Sequence, residues 1–587
     1  MKLNRFLLAY FCIFIPILTA CAPLLEDASG QQTTPVDISV LAFNDLHGNL
    51  EPPHIAIREQ FANEMKDVPA GGAAYLAAAI QYFKKQNPLS AVVSAGDMIG
   101  ASPLVSALFL DEPTIEAVNA MGIDFNAVGN HEFDKGTDEL LRMRHGGCAK
   151  FTRIEPCQIN RQFPGANFEF LAANVRKTDT STLFPAYGIK TFQSGKHSIK
   201  IGFIGMTLKG TPKMVTPDGI KGLSFEDEAQ TANKLIPILK AQGVSALVLV
   251  IHEGGVIKGH HNDANCPGLS GDIVPILNQL DPAFDVVVSG HTHRAYACEF
   301  NRINPSKPFL LTSAGQYGTL LTHIQLKIDP IEKKVLSKLA TNHIVQSETF
   351  TNSSGVRIQP IDSLPAFGKD KSVEKILSEY QLAAKAQVQK VIGHLPESII
   401  RKYSPSGESP LGNLVADAQW YSTSTQERGA ADFALMNPGG IRADISVPLG
   451  GGTVNFGQIF KVQPFGNTLT VKSMSGKQIK DLLEFQFNQI ERPKVLFPSS
   501  NLSYSVDVQK VQGQRVSNII IKGKILEASR IYRVTVNSFI ASGGDGFWHF
   551  NEAPTVAGGE LDVDALAEYI RSHQGLQAPV LNRIQML

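Results

Sequence analysis

Five apolar runs in the first half of the chain each end in a polar cluster, and this repeated ending constrains the fold more than any other feature. Ile38 to Phe43 leads into Asn44-Asp45-Leu46-His47-Gly48, and the run through Val93 stops at Gly96-Asp97. Phe125-Asn126-Ala127-Val128 meets Gly129-Asn130-His131-Glu132-Phe133-Asp134. The run through Ile251 gives His252-Glu253-Gly254-Gly255, and Asp285-Val286-Val287-Val288 leads to Ser289-Gly290-His291-Thr292-His293. Short apolar runs alternating with amphipathic stretches read as buried strands with helical crossovers. Their carboxyl ends then share one sheet edge, where α/β folds build ligand sites. Singly, each residue has a plain explanation: Asp97 could cap a helix, Asn130 could make a turn, and His252 could be a loop histidine. Together, Asp45, His47, Asp97, Asn130, His252, His291 and His293 are hard to explain except as metal ligands. A mixed oxygen and nitrogen set suits Zn, Mn or Fe better than Ca or a thiolate site.

With 587 residues the chain is long enough for two or more domains, each with its own core. Its 43% hydrophobic residues exclude a disordered chain, and 54 basic against 54 acidic side chains give a net charge of 0. Neutrality argues against a nucleic-acid polymer as partner, because such binders need a basic footprint. Small nucleotides stay open. Thr351 to Lys371 is rich in Ser, Pro and Gly, and a helix is expected from about Ser372 to Val391, with Ile376, Tyr380, Ala383 and Ala384 at helical spacing and Gly393 beyond its end. The boundary falls there, giving a first domain at 37–345, a linker with hinge helix at 346–392 and a second domain at 393–587. The second domain opens on a helix near Leu411 to Tyr421 and continues in strands and glycine-rich turns.

Lys2 and Arg5 precede an apolar run from Phe6 to Ile17, too short for an ordinary membrane span and shaped like a secretory leader. Leu18-Thr19-Ala20-Cys21 resembles the lipobox of bacterial lipoproteins, which implies a leader at 1–20 and a lipid anchor at Cys21. An ordinary signal peptide or an uncleaved anchor is the plainer alternative. Ala22 rather than Asp after the cysteine points to the outer membrane, and 21–36 reads as a polar tether. Cys12 would leave with the leader, so Cys148, Cys157, Cys266 and Cys298 remain. Export favours two disulfides over free thiols. Cys148 with Cys157 would close a short basic loop, Cys266 with Cys298 would tie two loops flanking a histidine cluster, and the other pairings stay formally open.

The order Asp-x-His, Gly-Asp, Gly-Asn-His-Glu-x-x-Asp, a strand-end His and Gly-His-x-His resembles the calcineurin-type metallophosphoesterases. Asn437-Pro438-Gly439-Gly440-Ile441-Arg442, Pro464-Phe465-Gly466-Asn467 and Asn537-Ser538-Phe539-Ile540-Ala541-Ser542-Gly543-Gly544-Asp545-Gly546 resemble the substrate domain of the secreted 5′-nucleotidases and UDP-sugar hydrolases. The resemblance implies an α/β fold: a four-layer αββα sandwich, a linker helix that lets the halves rotate, and a C-terminal α+β domain that binds nucleoside. It also implies two divalent metal ions, Zn, Mn or similar. Asp45, His47 and His293 would hold one, Asn130, His252 and His291 the other, and Asp97 would bridge them.

On the same footing, His131 would act on the phosphoryl group as a cation or acid, with Asp134 orienting its ring and raising its pKa. Phe465 and Phe539 would sandwich a base, and Asp545 would accept from ribose hydroxyls. Asn437, Gly439 and Arg442 would form a glycine turn that holds phosphate. Some relatives carry an arginine just before the segment matching Leu411-Gly412-Asn413; Ser406-Gly407-Glu408-Ser409-Pro410 stands there instead, so Arg401 or Lys402 is the candidate replacement. The implied activity is hydrolysis of nucleoside 5′-phosphates by an exported, lipid-anchored enzyme. Sugar nucleotides extend the substrate class, and a UDP-sugar pyrophosphatase, a 2′,3′-cyclic phosphodiesterase with 3′-nucleotidase activity, a sulfur-oxidation hydrolase and a non-catalytic nucleotide-binding lipoprotein are the rivals.

Overall fold

The computed structural model describes residues 25–26, 32–61, 64–152, 154–215, 217–352, 355–491 and 493–587. The expected leader and Cys21 lie outside the described residues. Among the described residues no helix is long and apolar enough to cross a membrane.

The first half is built on strands β1 (Val36–Phe43), β2 (Ser90–Ser94), β3 (Phe125–Ala127), β4 (Glu169–Leu171), β5 (Tyr187–Ser194), β6 (His197–Thr207), β7 (Ala246–His252), β8 (Val286–Ser289), β9 (Ala295–Glu299), β10 (Leu310–Ala314), β11 (Leu320–Asp329) and β12 (Lys334–Ile344). They form two six-stranded sheets, ordered β12-β11-β1-β2-β3-β4 and β5-β6-β7-β8-β10-β9. Strands β1 to β4 run parallel, as do β6, β7, β8 and β10, with antiparallel partners beside them. Every residue of β2 and β7 is buried, as unbroken apolar runs require when both faces are covered. Val40, Val93 and Phe125 of the first sheet meet Phe203, Val250 and Val288 of the second in one apolar layer.

Helices α1 (Ala73–Gln86), α2 (Glu112–Met121), α3 (Glu228–Ala241), α4 (Ile273–Gln279) and α5 (Lys371–Val388) complete the unit. Helices α1 and α2 cover the outer face of the first sheet, with α5 packed on them from outside, and α3 and α4 cover that of the second, which makes the αββα sandwich. Helix α5 starts after Asp370, whose carboxylate accepts from the Ser372 and Val373 amides at 3.0 and 3.1 Å. It ends before the expected Val391. That residue opens a strand, Val391–Leu395, paired with Gly452–Asn455, so Gly393 lies inside a strand and is no helix stop. Its buried stripe is Val373, Leu377, Tyr380 and Ala384, while Ala383 is exposed, because the stripe is set by packing on the first sheet's helices.

The second half centres on a five-stranded sheet ordered Phe497–Pro498, Phe433–Met436, Ile531–Asn537, Thr468–Ser475, Thr555–Leu561. Helices Pro410–Thr423 and Asp562–Ser572 pack on one side of it, and Gly476–Phe485 with a four-stranded sheet on the other. Ser409 caps the first of these helices through the Gly412 amide at 2.9 Å, with Pro410 in the first turn. Both expected disulfides are present, Cys148–Cys157 and Cys266–Cys298.

Candidate metal centre

The carboxyl ends of β1, β2, β3, β7 and β8 bring their polar residues to one place. Asp45, His47 and His293 converge, as do His47, Asp97 and His131, and Asp97, His252 and His291, each set offering ligand atoms within 4.8 Å of one another. Asp97 belongs to two of these groups. Its Oδ2 lies 3.0 Å from His252 Nε2 and 3.6 Å from His47 Nε2, while its Oδ1 accepts from the His131 amide at 2.9 Å. Asn130 Oδ1 lies 3.2 Å from His252 Nε2.

The backbone accepts strain to reach this geometry. Asp45, His47, Asp97, His291 and His293 sit at φ of 51°, 46°, 51°, 69° and 59°, the left-handed region that L residues avoid. Each such residue costs on the order of 1 kcal/mol, which the surrounding packing must offset. Two rings are oriented by carbonyls: His47 Nδ1 donates to Gly100 O at 2.9 Å and His252 Nδ1 to Ala95 O at 2.7 Å. This makes Nε2 the atom that each ring turns to the centre, as second-layer contacts to ligating histidines do.

The donor set fits metal ions. Asp45 Oδ2 accepts from Asn44 Nδ2 and the His291 amide at 2.6 and 3.0 Å, but its buried Oδ1 has no hydrogen-bond partner and faces His293 Nε2 at 3.3 Å. A buried carboxylate oxygen left this way asks for a cation. His47 Nε2 and His293 Nε2 approach to 3.0 Å, a spacing that a shared ion or a shared proton explains and two lone pairs alone do not.

Charge balance among the protein groups is lopsided. Burial opposes ionisation of Asp97, yet His252 and His131 outweigh it and hold the carboxyl well below the ordinary range. Burial likewise opposes His252, and Asp97 outweighs it, pushing the ring up to about 10. His47 is driven well down by burial, and His291 goes to about 3 through burial and the neighbouring His252. For His131 burial is again overcome, by Asp134 and Asp97, so its pKa is raised. Asp134 grips His131 Nδ1 at 2.9 and 3.1 Å.

Beside this centre is a cavity of about 230 Å³ with walls from both halves of the chain. Asn130, His131, Asp134 and His291 line one wall; Asn437, Gly439, Arg442, Phe465, Phe539 and Asp545 line the other. Phe465 stacks on His131 with ring centres 5.6 Å apart, and the Arg442 guanidinium lies 5.9 Å from the Phe465 ring centre. A relay of amides fixes Asp545: Asn537 Nδ2 donates to Asn437 Oδ1 and Asn437 Nδ2 to Asp545 Oδ2, each at 2.8 Å.

Two family models match the chain, the calcineurin-like phosphoesterase over residues 38–295 and the 5′-nucleotidase C-terminal domain over residues 391–552. The chain belongs to the 5′-nucleotidase family. Its class is that of metal-dependent phosphoester hydrolases. Among relatives, it is 31% identical over 550 residues to an endonuclease, YhcR, of Bacillus subtilis (strain 168), covering 92% of this chain and 40% of the relative. It therefore spans less than half the length of that protein. It is 26% identical over 562 residues to a 5′-nucleotidase of Vibrio cholerae, with 91% of this chain and 90% of the relative covered. The crystal structure of a 5′-nucleotidase precursor from Thermus thermophilus shares the fold at TM-score 0.71 and 24% identity, covering 94% of this chain and 99% of that one.

Of the candidate substrate-binding residues, Arg401 and its alternative Lys402 are the ones that the structure does not bring to the cavity wall. Arg401 is exposed, with its amide donating to Asp444 Oδ1 at 2.9 Å and its guanidinium to Ile441 O at 3.4 Å. Four other lining residues, Met214, Val215, Gly440 and Asn467, had no role assigned from sequence. Met214 and Val215 follow the turn Thr211–Lys213, which lies against Gly544–Gly546 of the second half, and nothing local in the sequence signals that approach. Glu132, inside the Gly-Asn-His-Glu motif, has a role that the motif alone does not reveal. Its carboxylate accepts from the amides of Asp97, Met98 and Gly129 at 2.9, 2.8 and 2.6 Å, tying the β2 and β3 endings together. Burial and the nearby Asp97 push its pKa up to about 7.

Proposed function

We propose that this chain is an exported 5′-nucleotidase, anchored by lipid at Cys21, that hydrolyses nucleoside 5′-phosphates to nucleoside and phosphate. The observation that carries the reading is the shared cavity, in which His131 and the metal-ligand cluster face the aromatic and acidic residues of the second half. Asp45, His47 and His293 would hold one divalent ion, Asn130, His252 and His291 a second, and Asp97 both. Bound there, the ions supply Lewis-acid polarisation of the phosphate ester and lower the pKa of water.

The remaining work belongs to the chain. His131, whose protonated form Asp134 favours, would present positive charge to phosphoryl oxygens where negative charge builds. Arg442 adds a planar cation suited to phosphate oxygens. Phe465 and Phe539 offer faces for a base, and Asp545, aimed by the Asn537–Asn437 relay, accepts from ribose hydroxyls. On this reading the first domain runs from 37 to 345, the linker from 346 to 392 and the substrate domain from 393 to 587.

The name of the B. subtilis relative raises a polynucleotide substrate. The chain's zero net charge and its cavity of about 230 Å³ favour a mononucleotide instead. The test is a parallel assay of metal-reconstituted protein on AMP, 3′-AMP, 2′,3′-cyclic AMP, ATP, UDP-glucose and single-stranded DNA. AMP should be the preferred substrate. Preference for UDP-glucose, a cyclic or 3′-nucleotide, or DNA would replace the reading with the corresponding rival.

A further inference from the structure

Away from this centre, Glu59, His260 and His261 bring ligand atoms within 4.8 Å of one another. Glu59 comes from the hairpin strand Ile55–Phe61, which pairs with Glu64–Ala70; the two histidines come from the loop after β7. Glu59 Oε1 lies 3.0 Å from His260 Nε2 and Oε2 lies 3.4 Å from His261 Nε2, and the imidazole centres are 4.0 Å apart. We propose that these three residues form a further zinc site, separate from the phosphoesterase centre, that pins the hairpin to the loop.

Three observations support it. The first is an open ligand atom: His260 Nε2 is buried without a hydrogen-bond partner. The second is the aim of the imidazoles. His261 is nine-tenths buried, with its Nε2 3.4 Å from Glu59 Oε2, so the ring is already turned toward the carboxylate that would share the ion. The third is a loop already held in shape. Asn262 Nδ2 donates to Asn342 O at 2.9 Å, the Asn342 amide returns a bond to Asn262 Oδ1 at 2.7 Å, and Asn342 Nδ2 donates to His261 O at 3.2 Å. Cys266 fastens the end of the same loop to Cys298. Preorganised ligands and a fixed second layer are what metal sites require.

The ion's identity follows from the neighbours. Arg58 and Arg294 line the adjoining cavity, so the electrostatic setting does not favour a hard cation held by charge alone. Two imidazoles and one carboxylate suit zinc, which bonds to nitrogen strongly, and leave a fourth position for water. Ligation through His260 Nε2 puts that ring's proton on Nδ1, and so gives up one long bond, from the Asn262 amide at 3.2 Å.

The test is zinc stoichiometry by mass spectrometry on the full chain after equilibration and desalting. Glu59→Gln, His260→Gln and His261→Gln should each retain one zinc fewer per chain than the wild type, with hydrolysis of p-nitrophenyl phosphate unchanged. In an Asp97→Asn background, added zinc should raise Tm, and Glu59→Gln should abolish that rise; this arm reads the site whatever the fate of the phosphoesterase centre. Magnesium should do neither. If His261→Gln, with its buried ring, fails to fold, the near-isosteric Glu59→Gln and the more exposed His260→Gln decide the matter. Equal zinc content in wild type, Glu59→Gln and His260→Gln overturns the proposal.

Discussion

Asp97 stands where two ligand groups meet, so its replacement should disturb both. Asp97→Asn keeps the shape and removes the charge; bound metal should fall, and phosphoester turnover should drop by roughly a thousandfold, the scale of several kcal/mol of lost charge stabilisation. Metal analysis beside kcat would expose the error if both stayed near wild type. His131→Ala should separate these quantities, keeping the metal while lowering kcat by about 10² to 10³. For Phe465→Ala and Phe539→Ala, KM for AMP should rise by the equivalent of roughly 1 to 3 kcal/mol, while p-nitrophenyl phosphate, which has no base to stack, should be nearly unaffected. Equal effects on the two substrates would remove these rings from base recognition. At this scale the strand-end residues were legible because one strand places its ending in one place. Glu132 was not, since its role is to accept from amides 34 and 35 positions away as well as from Gly129, and the amides that donate to a carboxylate leave no periodic trace.

Helix α5 shows what periodicity can and cannot supply. Its existence was legible from spacing, but its end and buried stripe were not, because Val391 is claimed by a strand partner at Asn455 and the stripe by the first domain's core. Tyr380 reinforces that attachment through Glu116, 3.2 Å from its hydroxyl. The helix thus rides with the first half, which narrows any swivel to the short stretch between Val388 and Val391. The β11 and β12 strands carry a second element-scale consequence. His323 of β11 and His343 of β12 each sit 4.7 Å, centre to centre, from the Phe83 ring of α1, with Ser39 Oγ 2.9 Å from His323 Nε2. Burial, with His343 adding to it, lowers His323 to about 4, and burial lowers His343. Because the folded pKa values are depressed, this stability is present above the unfolded value near 6.5 and is lost as pH falls toward 4. Partial exposure reduces the effect to about 1 to 2 kcal/mol. Urea unfolding at pH 7 and pH 4.5 should show His323→Gln losing less stability on acidification than the wild type; parallel losses would assign the acid sensitivity elsewhere.

Across the whole molecule, the candidate metal ligands precede α5 and the aromatic wall follows it, so on the proposed reading the reacting group and the base of one nucleotide would rest on different halves. Release should then need the halves to part. A disulfide engineered between the turns Thr211–Lys213 and Gly544–Gly546 should suppress AMP turnover when oxidised and restore it on reduction; equal rates in both states would show that turnover needs no such motion. The α/β character was legible from the strand pattern and the four-layer sandwich from the motif resemblance, whereas the Met214 and Val215 wall arises only when both halves meet. The native disulfides obey a simpler rule. Among the described residues each cysteine is joined to the next in the sequence, over separations of 9 and 32, and both bonds lie before α5. For a chain threaded amino end first into an oxidising space, partners therefore emerge in pairing order. An oxidase that joins each new thiol to the one before it would produce the native pattern without a disulfide isomerase, before the second half had been delivered.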